Sequence, residues 1–146
     1  MTATSPGTAI ATRGRGAALR TGLAALILLL VLLQALLAGE WLAGKKTIDA
    51  HAANGMLVLL LAIVQSALVA GTVRTAVRRA ALIGSTLLVL LVVVQLALGY
   101  GGFDSANQAR ALHLPNGLLI FGVATWNLVL ARRASGEASH TEAGDD

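Results

Sequence analysis

Two histidines of this chain lie in short tracts of nearly identical sequence. Residues His51–Gly55 read His-Ala-Ala-Asn-Gly, and residues His113–Gly117, 62 positions later, read His-Leu-Pro-Asn-Gly. A neutral imidazole binds a transition metal through one ring nitrogen and can donate a hydrogen bond from the other. Two imidazoles in matching surroundings therefore predict a pair of ligands to one metal centre. The chain has no cysteine, so thiolate ligands and disulfides are excluded.

The segments that must position these histidines are strongly apolar. The 146 residues are 56% hydrophobic and 12% charged, with a mean hydropathy of +0.77, whereas about a quarter of the residues in soluble domains are charged. Four apolar segments predict helices at about 19–39, 51–73, 80–101 and 112–131, each close to the ~20 residues that cross a bilayer. Lipid offers no partners to backbone groups, so such segments form helices. We expect an all-α integral membrane four-helix bundle whose main partner is the lipid bilayer.

The two ends of the chain differ in composition from this domain. Residues 18–133 are predicted to form the four-helix transmembrane domain. Residues 1–17 are rich in Thr, Gly and Ala, and residues 134–146 are rich in Ser, Gly and acidic residues. Both ends have few bulky apolar side chains, so we expect disordered cytoplasmic tails.

Arginines mark one side of the predicted bundle. They precede helix 1, separate helices 2 and 3, and follow helix 4, whereas the other two loops are nearly balanced in charge. By the positive-inside rule both termini are cytoplasmic, in a multi-pass protein of the cell membrane, here a bacterial inner membrane. Nucleic acid is excluded as a partner because the arginines follow the topology instead of forming one patch. These residues are Arg13, Arg15, Arg20, Arg74, Arg78, Arg79, Arg132 and Arg133.

The histidine tracts belong to a longer internal repeat. An offset of 62 residues maps helix 4 onto helix 2, and an offset of 61 maps Gln95 onto Gln34. The repeat unit is two helices, so both copies cross the membrane in the same direction, as parallel repeats related by an axis along the membrane normal. His51 and His113 are then expected at one depth near the outer face, on opposite sides of the bundle. Gln34 and Gln95, near the outer ends of helices 1 and 3, share that depth.

Small and polar residues follow each histidine along one helical face. Such a face packs inside a membrane bundle, while the bulky aliphatic face meets lipid. The two histidines are therefore predicted to point inward. Gln65 and Asn127, lower on these faces, are expected to form interhelical hydrogen bonds. The faces comprise His51, Gly55, Val58, Ala62 and Gln65 in helix 2, and His113, Gly117, Ile120, Ala124 and Asn127 in helix 4.

Two opposed imidazoles across a bundle are the ligand set of a bis-histidine haem. We predict that His51 and His113 bind one haem b, with Gly55 and Gly117 clearing space for its flat ring. The second N–H of each imidazole then needs an acceptor. Four amide side chains are candidates for that role: Gln34, Gln95, Asn54 and Asn116. Lys45, Lys46 and Arg110, in the outer loops, are candidates to pair with the haem propionates.

This prediction has alternatives. A histidine in the first turn of a membrane helix can be an interfacial residue satisfied by water or a loop carbonyl, and two can be a relic of duplication. Copper or zinc would require a third ligand, but Glu40, Asp49 and Asp104 do not recur between the repeats. The first function predicted is a small cytochrome-like protein for electron transfer or haem handling, beside a larger respiratory or haem-maturation complex. The second is a cofactor-free accessory subunit. No catalytic residue is predicted, because no acid or base group accompanies the histidines.

The spacing of glutamines and histidines resembles one half of the haem A synthase family. The resemblance lies in Gln95–Gly99 (Gln-Leu-Ala-Leu-Gly) followed by His113, and in Gln34 followed by His51, and it covers residues 19–131. That family has two four-helix halves, each with histidines on its second and fourth helices and its haem ligands toward the outer face. The chain is also similar to small four-helix bacterial membrane proteins that keep this pattern in a single bundle.

The chain departs from the synthases in three respects. It has one bundle, it has no cysteine pair in the first outer loop, and Ile48 and Arg110 stand three residues before the histidines where the family has glutamate. The resemblance thus implies His51 and His113 as haem ligands, without the synthase reaction.

Overall fold

The computed structural model describes the backbone of residues 6–71, 76–101 and 107–143. Its four helices are α1 (Pro6–Leu42), α2 (Ile48–Ala70), α3 (Ala76–Gly101) and α4 (Asn107–Ala143). Each contains a segment long and apolar enough to cross a membrane: Gly16–Leu42, Ile48–Ala70, Val77–Tyr100 and Ala111–Gly136. The predicted all-α, four-helix fold is therefore confirmed, and the helices have the length and composition of a multi-pass membrane protein.

The outermost helices are longer than their apolar segments. α1 begins at Pro6 and α4 continues to Ala143, so both enter the ends that we expected to be disordered. Alanine, frequent at both ends, is the best helix former, and a helix started in the membrane is extended without a new nucleation step. Hydropathy marks the part that crosses the bilayer and does not mark where the helix ends. Residues 1–5 and 144–146 lie outside the described residues.

The helices form a ring in which each packs against two neighbours. α1 and α3 each contact both α2 and α4, and neither diagonal pair makes a close approach among the described residues. Neighbouring helices are antiparallel. The end of α3 lies beside the start of α2, where a Cβ built on Gly55 would lie 3.3 Å from Leu96 Cδ2. Between the first half of α1 and the end of α4, the Thr21 and Ser135 hydroxyls form a hydrogen bond at 3.0 Å. Consequently α2 and α4 both begin at the same end of the bundle.

Apolar side chains from all four helices fill the middle of the bundle. The predicted inward faces of α2 and α4 supply Val58, Ala62, Ile120 and Ala124 to this core. Of the bulky residues predicted to lie outside these faces, Leu61 is partly buried against the core, and the others are 41% to 67% exposed: Leu57, Leu60, Leu118, Leu119 and Phe121. In a membrane this outer surface is covered by lipid, so the core is held by close packing more than by removal of apolar surface from water. The core consists of Ile27, Val31, Val58, Ala62, Leu88, Val92, Ile120 and Ala124.

The connection between α1 and α2 sets the start of α2 and hence the height of its histidine. Gly44 has φ +87°, a left-handed conformation that glycine adopts without strain after a helix. Thr47 Oγ1 donates to the Leu37 carbonyl at 3.0 Å and so fixes the turn against α1. The His51 amide then donates to the Thr47 carbonyl at 2.9 Å in the first turn of α2.

Candidate functional site

His51 and His113 meet at the end of the bundle where α2 and α4 begin. Their ring centroids are 6.1 Å apart and their planes are inclined by 41°. Both side chains are half-buried. The backbones of α2 and α4 do not approach each other closely, so the two imidazoles reach across the bundle from opposite sides. The predicted convergence of the histidines is therefore present in the fold.

The His51 ring has a fixed orientation relative to α1. His51 Nδ1 lies 3.2 Å from the main-chain oxygen of Gln34. A carbonyl only accepts hydrogen bonds, so Nδ1 carries the proton and the Nε2 lone pair is left for another partner. Gln34 Nε2 donates in return to the His51 main-chain oxygen at 2.9 Å. The acceptor for the His51 N–H thus comes from Gln34, but from its main chain and not from its side-chain amide.

The amide side chains form a second network just below the His51 ring. Asn54 Nδ2 donates to the Leu30 carbonyl at 2.9 Å and to Gln34 Oε1 at 2.6 Å. Asn54 is buried, so both bonds lie in the interior of the α1–α2 pair. A buried carboxamide that joins two membrane helices through two acceptors holds them in one register. This network therefore sets the height of His51 relative to Gln34.

The α3–α4 pair repeats the asparagine network but not the histidine bond. Asn116 Nδ2 donates to the Leu91 carbonyl at 2.9 Å and to Gln95 Oε1 at 2.7 Å. His113 Nδ1 is buried without a hydrogen-bond partner among the described residues. The ring lies instead against Gly99, where an added Cβ would be 3.4 Å from His113 Cε1. The two imidazoles are thus held differently, one by a carbonyl and one by packing.

The glycines one turn below the histidines adjoin the glutamine amides. A Cβ at Gly55 would lie 3.3 Å from Gln34 Nε2, and one at Gly117 would lie 3.5 Å from Gln95 Nε2. The space that these glycines open therefore admits the amide of the neighbouring helix. We expected a clearance for a flat ring at these two positions, and the structure instead places polar side chains against them.

Few charged groups surround the histidines. Lys45 pairs with Glu40, Lys46 is exposed, and the Arg110 side chain and Asp104 lie outside the described residues. Within residues 6–71, 76–101 and 107–143 no three His, Cys, Asp or Glu side chains gather in one place. The described part of the site therefore offers two imidazoles and four neutral amides, which suits a metal centre that needs only two protein ligands.

The pair of hydrogen bonds that each asparagine side chain donates was not predicted from the sequence. The spacing carried the signal, since Asn54 follows Gln34 by 20 residues and Asn116 follows Gln95 by 21. In two antiparallel helices joined by a short turn, residues with this separation lie opposite each other. The prediction treated these asparagines and glutamines as partners of the histidine rings, whereas each asparagine pairs with a glutamine.

No protein-family model, curated protein or solved structure matches this chain. The similarity to the haem A synthase pattern accordingly stays a prediction from the residues. A functional assignment has to be argued from the geometry of the histidine pair.

Proposed function

We propose that this protein is a small b-type membrane cytochrome in which His51 and His113 are the two axial ligands of one haem. The observation that carries the proposal is the 6.1 Å separation of the two ring centroids. An imidazole nitrogen binds a metal at about 2 Å and lies about 1 Å from its ring centre, so two rings on opposite sides of one ion have centres ~6 Å apart. The 41° inclination of the two rings is compatible with this role, because two imidazoles that held one group would be free to differ in orientation.

The donor set of the site suits this group. The His51 ring is protonated at Nδ1, which leaves Nε2 as the metal-binding atom, and a carbonyl on the distal N–H of a ligand histidine raises its basicity. His113 Nδ1 has no partner among the described residues. Asp49 stands two residues before His51 in α2, but no three His, Cys, Asp or Glu side chains gather among the described residues, so the described part of the site does not supply the three protein ligands that zinc usually takes. Two neutral imidazoles alone are sufficient for haem b.

The remaining residues position the two ligands. Asn54 and Asn116 join their helices to α1 and α3 and so fix the heights of the histidines. Gly99 lets the His113 ring rest against α3. When bound, haem b supplies a one-electron couple. With His51 and His113 both holding it, the group would have no place for a substrate, which would favour electron transfer or haem handling over an enzymatic reaction.

We further infer that the bundle consists of two parallel two-helix repeats with both termini in the cytoplasm. Equivalent positions make equivalent bonds in the two halves: Asn54 to Leu30 and Gln34, Asn116 to Leu91 and Gln95. The arginine-rich loops favour the cytoplasmic location of the termini, which puts the histidines near the outer face of the cell membrane. A respiratory or haem-maturation complex in that membrane is the partner class that fits such a site.

A visible spectrum of the purified protein tests the haem. We expect the Soret band of a six-coordinate, low-spin haem, and a pyridine haemochrome of the b type. His51→Ala and His113→Ala should each abolish the low-spin signature and lower the haem content at least severalfold. The matched control is His140→Ala, because His140 is the third histidine of the chain and lies 27 residues beyond His113.

Two outcomes overturn the proposal. One is a folded protein that stays colourless when it is made in haem-replete cells. The other is a haem content that His140→Ala lowers as much as the two bundle variants do. In the first outcome the protein fits a cofactor-free accessory subunit, whose histidine pair serves packing alone.

A further inference from the structure

A second set of buried polar residues lies on the other side of the apolar core from the histidines. We call it the inner polar layer, and it comprises Gln65, Ser66, Ser85 and Asn127, with Gly84 in contact with Asn127. Gln65 and Asn127 each follow a bundle histidine by 14 residues on the same helical face, which is about 21 Å along the helix axis. The proposed haem ligands do not include any residue of this layer.

Contacts between neighbouring helices bring these residues to one depth. The antiparallel contact of Gly55 with Leu96 places Gln65 opposite the stretch of α3 that contains Ser85. Gly84, beside Ser85, contacts the Asn127 carboxamide so closely that any side chain at position 84 would overlap Asn127 Oδ1. Glycine at this position therefore allows Asn127 to enter the interface with α3.

Most polar atoms of this layer are buried without a partner, whereas the Ser85 hydroxyl donates to the Leu82 carbonyl at 3.2 Å. Gln65 is 4% exposed, Asn127 is 3% exposed and Ser85 is fully buried. Gln65 Oε1, Ser66 Oγ and both polar atoms of the Asn127 carboxamide have no hydrogen-bond partner among the described residues. The interhelical bonds expected for Gln65 and Asn127 are not formed by these atoms. Buried polar groups without protein partners usually bind ordered water or an ion, since an unpaired group inside a membrane is strongly unfavourable.

The chemistry of the layer distinguishes water from a cation. The unpaired groups include a donor, the Asn127 amide, as well as acceptors on Gln65 and Asn127, and a water molecule serves both kinds. A cation would bind only the acceptors. It would also bring an uncompensated charge into a low-dielectric interior, because residues 16–39, 50–70, 76–101 and 111–131 contain no aspartate or glutamate.

We propose that the inner polar layer is a binding site for internal water within the membrane-spanning bundle. Water bridges Gln65 and Ser66 of α2 to Asn127 of α4, which joins the diagonal helices that do not approach each other closely. The site is independent of haem, since it is formed by other residues beyond the apolar core.

Magnetisation transfer from water to side-chain amides tests the site directly. The full chain is prepared in nanodiscs with ¹⁵N-labelled Gln and Asn and with ¹³C-labelled Ala methyls. We expect transfer from water to the amides of Gln65 and Asn127, and none to the methyls of Ala62 and Ala124, which are 0% and 1% exposed one turn away. Absence of transfer to both amides, or a direct hydrogen bond between them, overturns the proposal.

Gly84→Ala tests the geometry without removing a polar group. The new methyl displaces the Asn127 carboxamide, so water transfer to Asn127 should fall at least severalfold. Gly122→Ala is the matched control, because a Cβ at Gly122 would meet nothing within 4 Å, and it should leave the transfer unchanged. An unchanged signal in a folded Gly84→Ala protein contradicts the proposed site. If Gly84→Ala does not fold, Asn127→Ser is measured in its place, and it should reduce magnetisation transfer from water to the Gln65 amide.

Discussion

The two buried asparagines, Asn54 and Asn116, stabilise the end of the bundle that holds the histidines. Asn54 gives its carboxamide hydrogens to Leu30 and Gln34, so Asn54→Leu removes both bonds and leaves Gln34 Oε1 without its donor. Interhelical hydrogen bonds in membranes contribute about 0.6 to 2 kcal/mol, so we expect a loss of about 1 to 2 kcal/mol in the free energy of unfolding. Titration with a denaturing detergent in mixed micelles measures this change.

A double-mutant cycle separates this bond from general loss of packing. Asn54→Leu and Gln34→Leu remove the same interaction, so their effects should be less than additive. The control pairs Asn54→Leu with Gln95→Leu, whose side chain bonds to Asn116 in the other half of the chain. Additive effects in the first pair, or equal coupling in both pairs, would show that the asparagine–glutamine bond does not stabilise the bundle.

At the scale of elements, Pro115 has a different environment from the one that hydropathy indicates. An apolar segment starting at residue 112 places Pro115 in the first turn, where a missing N–H has no consequence. α4 begins at Asn107, so Pro115 lies inside the helix and the Ala111 carbonyl loses its usual donor. Polar residues before the apolar segment extend the helix, and a hydropathy pattern cannot register them.

Pro115→Ala restores this donor near the start of α4. A proline in the interior of a helix costs about 3 kcal/mol in water, and less in a membrane where neighbouring groups compensate, so we expect a gain of about 1 kcal/mol. His113 precedes the proline by two residues, so the same change should move its ring and lower the haem content. Unfolding titration and the Soret absorbance measure the two effects.

The control for Pro115→Ala is Leu118→Ala, on the exposed face of the same helix. It should leave the haem content unchanged. A Pro115→Ala protein that is less stable than the original would contradict the idea that the proline strains α4.

At the scale of the whole molecule, the hydrogen bonds divide the bundle into two hairpins. Near the histidines the asparagine networks join α1 to α2 and α3 to α4. At the opposite end, Arg78 of α3 donates to the Val69 and Ala70 carbonyls of α2, at 3.3 Å and 2.5 Å, and Thr21 bonds to Ser135 of α4. Each hairpin supplies one histidine. At the histidine end these hydrogen bonds lie within each hairpin, so a metal centre between the two rings would link the two hairpins there.

Sequence periodicity predicted much of this arrangement, for reasons that also explain its limits. The inward orientation of the face from His51 to Gln65 was predictable because a helix in lipid must bury its small and polar face. The convergence of the histidines followed from the repeat and the antiparallel ring. The pairing of Asn54 with Gln34, and the different settings of the two imidazoles, depend on side-chain conformations and on Gly99, which no helical pattern specifies.

The arginine distribution predicts the orientation of the bundle in the membrane, and the cysteine-free chain makes this prediction directly testable. Lys46 and Gly71 are exposed residues just beyond the two ends of α2. In intact spheroplasts, Lys46→Cys should react with a membrane-impermeant maleimide, whereas Gly71→Cys should react only after the membrane is permeabilised. Labelling of Gly71→Cys alone would place the termini and the arginine-rich loops outside, contrary to the positive-inside rule. Equal labelling of both in intact cells would mean that α2 does not cross the membrane. The expected pattern puts the histidine pair next to the outer surface, within reach of an electron-transfer partner on that side.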